Sequence, residues 1–327
     1  MVKQIDGGST KAGGFGGWDY IKITILGFAF AALWQSLHTL ILPIRLLDFV
    51  GEADKNTALG IITFTGLLLA MFVQPIAGAI SDRSGFRRGR RRPYILVGAA
   101  AATLFLPGIG LFGNFAAIFL IYCLLQISTN TAQGPFQGFI PEMVPDGKRG
   151  LASGVKTLLE IVGGAAAILL ISQLMSHYEA GEGASWLWLS LGIVMVIVVV
   201  ATIAILLTVK EKPAAAGVKA PLFKTLTSTF KLDLKKDRPF MWFLASRLMI
   251  FMAFATLQQF SLYFLRDSIG VEDPAKAAAN FTIIAVIGML IVVYPAGRLS
   301  DRIGRKPIAL ASGFLGALAI LIIIISG

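Results

Sequence analysis

The fold of this chain is decided by GAISDRSGFRR at Gly78–Arg88 and by its near copy GRLSDRIGRK at Gly297–Lys306. Each copy contains an Asp-Arg pair, then a glycine and further basic residues, and each lies between two long apolar runs. The copies are about 220 positions apart, which indicates a chain built from two similar halves with several membrane spans each.

The composition supports a membrane protein. Hydrophobic residues make up 56% of the chain and charged residues only 14%. Apolar stretches of about 20 residues recur, the length needed to cross about 30 Å of hydrocarbon. The formal charge of +11 would suggest a nucleic-acid partner in a soluble protein. Here the charges lie between the apolar runs, so we expect them to contact the headgroups of the lipid bilayer. We expect no nucleic-acid partner.

We predict an all-α membrane protein, because the apolar runs are too long and too uniform for barrel strands. The pattern predicts nine transmembrane helices, at 20–44, 58–81, 93–113, 115–139, 151–176, 185–209, 239–265, 278–298 and 307–326. The loops after the second, fourth, sixth and eighth helices are rich in Arg and Lys. The positive-inside rule therefore predicts a multi-pass plasma-membrane protein with a cytoplasmic N-terminus.

The segment 210–238 is a basic stretch with Ala, Pro and Gly, and we predict that it is a cytoplasmic linker. It would separate a six-helix bundle at 1–209 from an incomplete three-helix bundle at 239–327. Aligning the two halves by the repeat leaves three helices of the first half without a counterpart. We therefore expect nine helices of a twelve-helix protein; the alternative is a genuine nine-helix protein.

The repeated loop resembles the inner-loop motif of the major facilitator superfamily, G-x-x-x-D-[RK]-x-G-x-[RK]-[RK]. The matching residues of the first copy are Gly78, Asp82, Arg83, Gly85, Arg87 and Arg88. The second copy is one residue shorter and supplies Asp301, Arg302, Gly304 and Arg305. The resemblance implies a major-facilitator-type helical bundle and a gating role for the motif, in which the carboxylate lies near a helix N-terminus and the basic residues pair across the halves. The alternative is a basic turn that only obeys the positive-inside rule.

Two further segments resemble the sucrose:proton symporters and the glycoside-pentoside-hexuronide:cation symporters. The first is RRRPYI at Arg90–Ile95, and the second is NTAQGPFQGFIPE at Asn130–Glu142. Gln137 and Glu142 depart from the Arg and Asp of the sucrose carriers. The resemblance implies symport of a small polar solute, a sugar or glycoside, with a proton or sodium ion by alternating access.

Polar residues inside the predicted helices are candidates for the substrate path, because uncompensated polar groups are costly in lipid. The fourth helix carries four amides along one stripe: Gln126, Asn130, Gln133 and Gln137. Amides both donate and accept hydrogen bonds and therefore suit sugar hydroxyls. The alternative is that the stripe joins helices through hydrogen bonds.

The first and seventh helices offer further substrate-binding candidates. In the first helix they are Trp34 and Gln35, and an aromatic face can stack on a sugar ring. His38, one turn beyond Trp34, can bind a proton near neutral pH and is a candidate for proton coupling or a hydrogen-bonded packing residue. In the seventh helix, Gln259 and Tyr263 are predicted to line the path, because this helix corresponds to the first.

Glu160 is the second candidate for proton coupling. It lies inside the fifth predicted helix, four residues after Lys156. A carboxylate within the membrane is a functional candidate by default. The alternative is a static ion pair in which Lys156 and Glu160 neutralise each other.

No enzyme is predicted, because the sequence has no metal-ligand spacing of Cys and His, no nucleotide-binding loop and no nucleophile elbow. We accordingly expect no cofactor and no metal. Two alternatives to symport stay open: an exporter or facilitator of another small solute on the same fold, and a non-transporting fragment.

Overall fold

The computed structural model describes residues 16–86, 89–145, 148–211, 238–303 and 305–326. Every regular element in these ranges is a helix. We number the helices as α1 (Gly17–Leu47), α2 (Lys55–Asp82), α3 (Arg92–Leu111), α4 (Phe115–Met143), α5 (Arg149–Glu179), α6 (Ser185–Thr208), α7 (Arg238–Phe264), α8 (Pro274–Ile303) and α9 (Arg305–Ser326). We call the end of the bundle that holds the α1–α2 loop the outer end, following the positive-inside expectation, and the opposite end the inner end.

The prediction of an all-α membrane protein is confirmed, and each of the nine predicted spans coincides with a helix. Within the described residues, seven helical segments, in α1 to α7, are long and apolar enough to cross a membrane. The apolar segments found in α8 and α9, Pro274–Met289 and Leu310–Ile322, are shorter. Most of the predicted linker, 212–237, lies outside the described residues, as do Arg87, Arg88 and Gly304.

Helix α1 packs against α5 and α6, whereas α4 packs against α2 and α3. Glycines allow the closest approaches. A Cβ atom on Gly98 of α3 would lie 2.6 Å from the carbonyl oxygen of Ser128 and 2.6 Å from the backbone nitrogen of Ala132, both in α4. Small residues at such crossings let backbones meet and gain van der Waals contact, which drives helix association in lipid.

Gly98→Ala is therefore expected to destabilise the α3–α4 contact. The added methyl group meets backbone atoms, which cannot move away as a flexible side chain can, so we expect a loss of about 1–3 kcal/mol of stability. Thermal unfolding in detergent measures it. Gly192→Ala is the matched control, because nothing lies within 4 Å of a Cβ atom there. Equal unfolding temperatures of the two variants would contradict the close contact.

Helix α1 widens into a π turn at Leu37–Ile41. In this turn the backbone N–H of Leu42 donates to the carbonyl of Leu37. The next residue, Pro43, has no N–H to donate. The carbonyl of His38 therefore lacks its usual helical donors, and the side chain of Gln259 in α7 donates to it at 3.1 Å. The π turn thus creates a docking point for α7 on α1.

Candidate functional site

A cavity of about 610 Å³ lies among α1, α4, α5, α7 and α8. Helices of the first six and of the last three both contribute to its wall. In α1 the lining residues recur at intervals of three or four, from Gly27 to Gln35, so one face of that helix follows the cavity. A volume of this size suits a small solute.

The polar part of the wall can both donate and accept hydrogen bonds. Its side chains are Gln35, Gln133, Thr157, Glu160, Gln258, Ser261 and Thr282. Aromatic rings form much of the remainder: Phe30, Trp34, Phe136, Phe254 and Phe281. Flat apolar surfaces beside a few amides and hydroxyls fit a solute that has a ring and several hydroxyl groups.

Glu160 is the only acidic residue of this wall within the described part of the chain. Its Oε1 lies 3.3 Å from Nζ of Lys156, and its side chain keeps 34% of its surface exposed. Gly27 of α1 makes room for it, because a Cβ atom there would lie 3.1 Å from Cγ of Glu160. The carboxylate is therefore both paired with a cation and open to the cavity.

Two amides connect the halves across the cavity. Nε2 of Gln258 in α7 donates to Oε1 of Gln35 in α1 at 2.5 Å, and both residues line the cavity. A bound hydroxyl group could replace either partner of this bond, because an amide offers a donor and an acceptor.

The cavity includes Trp34, Gln35, Gln133 and Glu160 from the predicted site residues. Five predicted lining residues are absent from its wall: Gln126, Asn130, Gln137, Gln259 and Tyr263. In α7, the positions one turn apart, Gln258 and Ser261, line the cavity instead. Gln259 docks on the π turn, and the buried Tyr263 donates its hydroxyl hydrogen to the Pro43 carbonyl at 2.8 Å. Gln137, at the end of the long helical part of α4, is exposed.

Gln126 and Asn130 belong to a buried chain of hydrogen bonds. Nδ2 of Asn130 donates to Oε1 of Gln126 at 3.0 Å, and Nε2 of Gln126 donates to the hydroxyl of Tyr122 at 2.9 Å. That hydroxyl lies 2.7 Å from Nε2 of His38, whose ring stacks on Trp34 with 4.9 Å between centroids. Sequence reasoning missed Tyr122, although it lies four residues before Gln126 on the same helical stripe.

Ion pairs join the two halves at the outer end. Nζ of Lys55 in α2 lies 2.6 Å from Oε2 of Glu52 and 2.6 Å from Oδ2 of Asp267, which follows α7. Arg266 pairs with the other oxygen of Glu52 at 3.2 Å. The hydrogen bond from Lys55, aided by the charge of Arg266, lowers the pKa of Glu52 from its ordinary value. We call Glu52, Lys55, Arg266 and Asp267 the outer cluster.

The first copy of the repeated motif forms a second cluster at the inner end. Arg91 is 5% exposed and bonds Oδ1 of Asp82 at 2.6 Å, Oε1 of Glu142 at 2.7 Å and the carbonyl of Pro135 at 2.9 Å. Its backbone N–H donates to Glu211, beyond α6, at 3.0 Å. The guanidinium therefore joins α2 to α4, and the backbone of Arg91 adds the chain after α6. We call Asp82, Arg91 and Glu142 the inner cluster.

The remaining motif residues lie around this cluster or in the second half. Gly78 in α2 faces the backbone of Gly134 in α4, and Arg83 and Gly85 follow the end of α2. The resemblance implied that the basic residues of the motif pair across the halves and that its carboxylate lies near a helix N-terminus; the described ion-pair partner of Asp82 is Arg91, just before the start of α3. The loop after α2 is short, so the start of α3 returns beside Asp82. Asp301 and Arg302 lie at the end of α8, and Arg305 begins α9.

The chain is similar to sucrose carriers in part of its sequence. It is 31% identical over 121 residues to sucrose transport protein SUC4 of Arabidopsis thaliana, and 28% identical over 120 residues to sucrose transport protein SUC3 of the same plant. These matches cover 32% and 30% of this chain. They span only 24% and 20% of the two plant proteins.

Solved structures share the fold. The nucleoside transporter NupG superposes with a TM-score of 0.61 at 15% identity, over 87% of this chain and 68% of that one. A D-xylose-proton symporter superposes with a TM-score of 0.60 at 18% identity, over 88% and 70% of the two chains. The prediction of a major-facilitator-type bundle is thereby confirmed. The sequence profile described as MFS/sugar transport protein matches residues 21–326, and the chain therefore belongs to that family.

Proposed function

We propose that the protein is a secondary active transporter that moves a small polar solute, a sugar or glycoside, by symport with a proton and alternating access. The observation that carries the proposal is the cavity between the halves, lined by amides, aromatic rings and one carboxylate. The amides Gln35, Gln133 and Gln258 would bind hydroxyl groups, and the Trp34 indole would stack on a sugar ring. Membership of the sugar transport family and the partial similarity to sucrose carriers support this choice of solute.

Glu160 would carry the coupling proton. It faces the solute path and has Lys156 as a neighbouring cation. A carboxylate that alternates between a paired state and a desolvated state changes its proton affinity, because an opposite charge favours ionisation and burial opposes it. Solute binding against this wall would displace water from Glu160 and so link proton binding to solute binding.

Uptake into proteoliposomes tests the function. Purified protein should accumulate at least one of labelled sucrose or labelled D-xylose when the outside is acidified, and an uncoupler should abolish the accumulation. Uptake that equilibrates but ignores the proton gradient would favour a facilitator. Sodium-driven uptake would replace the proton by sodium. If neither sugar enters and labelled uridine does, the transported solute is a nucleoside and the proposed sugar is wrong.

Alternating access requires the outer cluster to open. Lys55 is almost fully buried and satisfied by two carboxylates, one in each half, so the cluster would hold the outer ends of α2 and α7 together. Loss of Asp267 removes one of the two ion pairs that join these parts of the chain, and leaves the pairs of Glu52 with Lys55 and with Arg266 intact.

Asp267→Asn is expected to shift the protein toward states that are open at the outer end. The ratio of open to closed states should rise about fivefold, the effect of one partly exposed ion pair. Spin labels on cysteines at Asp54 and Glu272, in a Cys123→Ser background, measure the separation by double electron–electron resonance. Asp19→Asn is the control, because Asp19 pairs with Lys22 within its own turn of α1. An unchanged distance distribution in Asp267→Asn would remove the outer cluster from the gate.

A further inference from the structure

We infer that Tyr122 is a positioning residue for the solute cavity, although it is fully buried and outside the cavity wall. The inference rests on the proposed function and adds to it a residue that sets the orientation of the cavity's aromatic wall. Tyr122 acts through His38 on Trp34, which lines the cavity.

In the series of hydrogen bonds from Asn130 to His38, the direction of each bond is fixed by the bond before it. Asn130 donates to Oε1 of Gln126, which turns the amide nitrogen of Gln126 toward Tyr122. The Tyr122 oxygen thus already accepts a hydrogen bond, and among the described residues the acceptor for its own hydrogen is Nε2 of His38, 2.7 Å away, in the tautomer that carries the imidazole proton on Nδ1. A hydroxyl has one hydrogen to give. His38 is therefore held as an acceptor at Nε2.

The packing around Tyr122 keeps this arrangement in place. A Cβ atom on Gly66 of α2 would lie 2.8 Å from the Tyr122 hydroxyl and 2.8 Å from Nε2 of Gln126. The glycine therefore provides the space that the two side chains occupy. The tyrosine ring also meets the Trp34 indole edge-on, with 6.2 Å between centroids. The His38 ring thus stacks on the indole, and the Tyr122 ring lies at 74° to it.

The orientation of Trp34 decides what the cavity can bind at this wall. An indole stacks on a sugar ring only if its plane is fixed parallel to that ring, and loss of a fixed rotamer costs binding entropy. The π turn adds a second constraint, because the carbonyl of His38 accepts from Gln259 of α7. His38 is thus oriented by α4 through its ring and by α7 through its backbone.

The first test needs no solute. In a chain that keeps Trp34 as its single tryptophan, the other four are replaced by Phe: Trp18, Trp186, Trp188 and Trp242. Tyr122→Phe should then reduce the near-ultraviolet circular dichroism of Trp34 and increase its quenching by acrylamide. Tyr178→Phe is the matched control, because it removes a hydroxyl that bonds Asp48 at 2.5 Å at the outer end. Unchanged spectra in Tyr122→Phe would overturn the inference.

The second test uses solute affinity, with sucrose and D-xylose as probes. Tyr122→Phe should weaken binding of the transported probe about threefold to tenfold, the range for loss of one neutral hydrogen bond. In a His38→Phe background the same change should cause no further loss, because Tyr122 acts through the imidazole. Additive losses would contradict a positioning role and leave Tyr122 a packing residue.

Two outcomes separate this inference from the proposed function. If neither sugar binds to the unmodified protein, the proposed solute is wrong, and the Trp34 spectra still decide the role of Tyr122. If Tyr122→Phe does not fold, Gln126→Leu removes the donor that orients the hydroxyl and should change the Trp34 spectra in the same direction. Unchanged spectra in folded Gln126→Leu would then overturn the inference.

Discussion

Glu160→Gln is expected to abolish uphill accumulation of solute while exchange of solute across the membrane survives. The amide keeps the shape and hydrogen bonds of the carboxyl group but cannot release a proton. A symported proton driven by about 100 mV is worth about 2.3 kcal/mol, or about 50-fold accumulation. In the variant this ratio should fall to one. Accumulation and counterflow of the labelled sugar in proteoliposomes measure the two activities separately.

The matched control for this experiment is Glu182→Gln. Glu182 is an exposed carboxylate in the α5–α6 loop that bonds His177 at 2.9 Å, away from the cavity. The Glu182→Gln variant should accumulate solute like the unmodified protein. If Glu160→Gln also accumulates solute, Glu160 is a packing partner of Lys156, and His38 becomes the next candidate. His38→Gln should then shift the pH optimum of uptake.

Gly138→Ala is expected to break the inner cluster and to cost the most stability of any change proposed here. Gly138 separates the two helical parts of α4, and a Cβ atom on it would occupy the place of the Arg91 guanidinium. The methyl group can enter only if the guanidinium leaves Asp82, Glu142 and the Pro135 carbonyl. The side chains of Asp82 and Glu142 are 49% and 33% exposed, so each ion pair contributes only about 1 kcal/mol, and the hydrogen bond from the charged guanidinium to the Pro135 carbonyl adds about 1.5–3 kcal/mol. The unfolding temperature in detergent should fall, and the yield of folded protein with it.

Gly154→Ala serves as the control for Gly138→Ala. Gly154 lies within α5 with nothing within 4 Å of a Cβ atom, so alanine there should be neutral or favourable for the helix. A second comparison separates the ion pairs from the helix break. Arg91→Met should lower stability in the unmodified protein but have little further effect in the Gly138→Ala variant. Additive effects of the two changes would show that the methyl group leaves Arg91 in place.

The helices could be predicted from the sequence because the residues that cause each one to form lie within the segment itself. A run of about 20 apolar residues cannot leave its backbone polar groups unpaired in lipid, so such a run forms a helix. The repeated motif added the relation between the halves, and each copy lies at the end of a helix, α2 or α8. The π turn was not predicted, because it depends on Pro43 together with the amide of Gln259 from a helix about 220 positions away.

The candidate site could be predicted only in part, because spacing along one helix places residues on a face without saying what covers that face. The amide stripe of α4 is an example. Gln133 lines the cavity. Asn130 and Gln126, one and two turns earlier, are instead covered by neighbouring helices. They form hydrogen bonds with each other and with Tyr122. In α7 the prediction was wrong by one residue: successive side chains point about 100° apart around a helix, so Gln258 faces the cavity and Gln259 does not.

The sequence by itself determined the class of the molecule: hydrophobic run length predicts the helices, and the repeated Asp-Arg-Gly loop indicates the two related halves and the family resemblance. It also identified Trp34, Gln35, Gln133 and Glu160 as polar or aromatic residues inside spans. Only the tertiary structure decided which of the candidates share one cavity, that Arg91 binds Asp82, and that Lys55 meets Asp267. These contacts join residues from different helices, so they depend on how the helices rotate and cross, which is set by side-chain packing between helices and not by the pattern within any one of them.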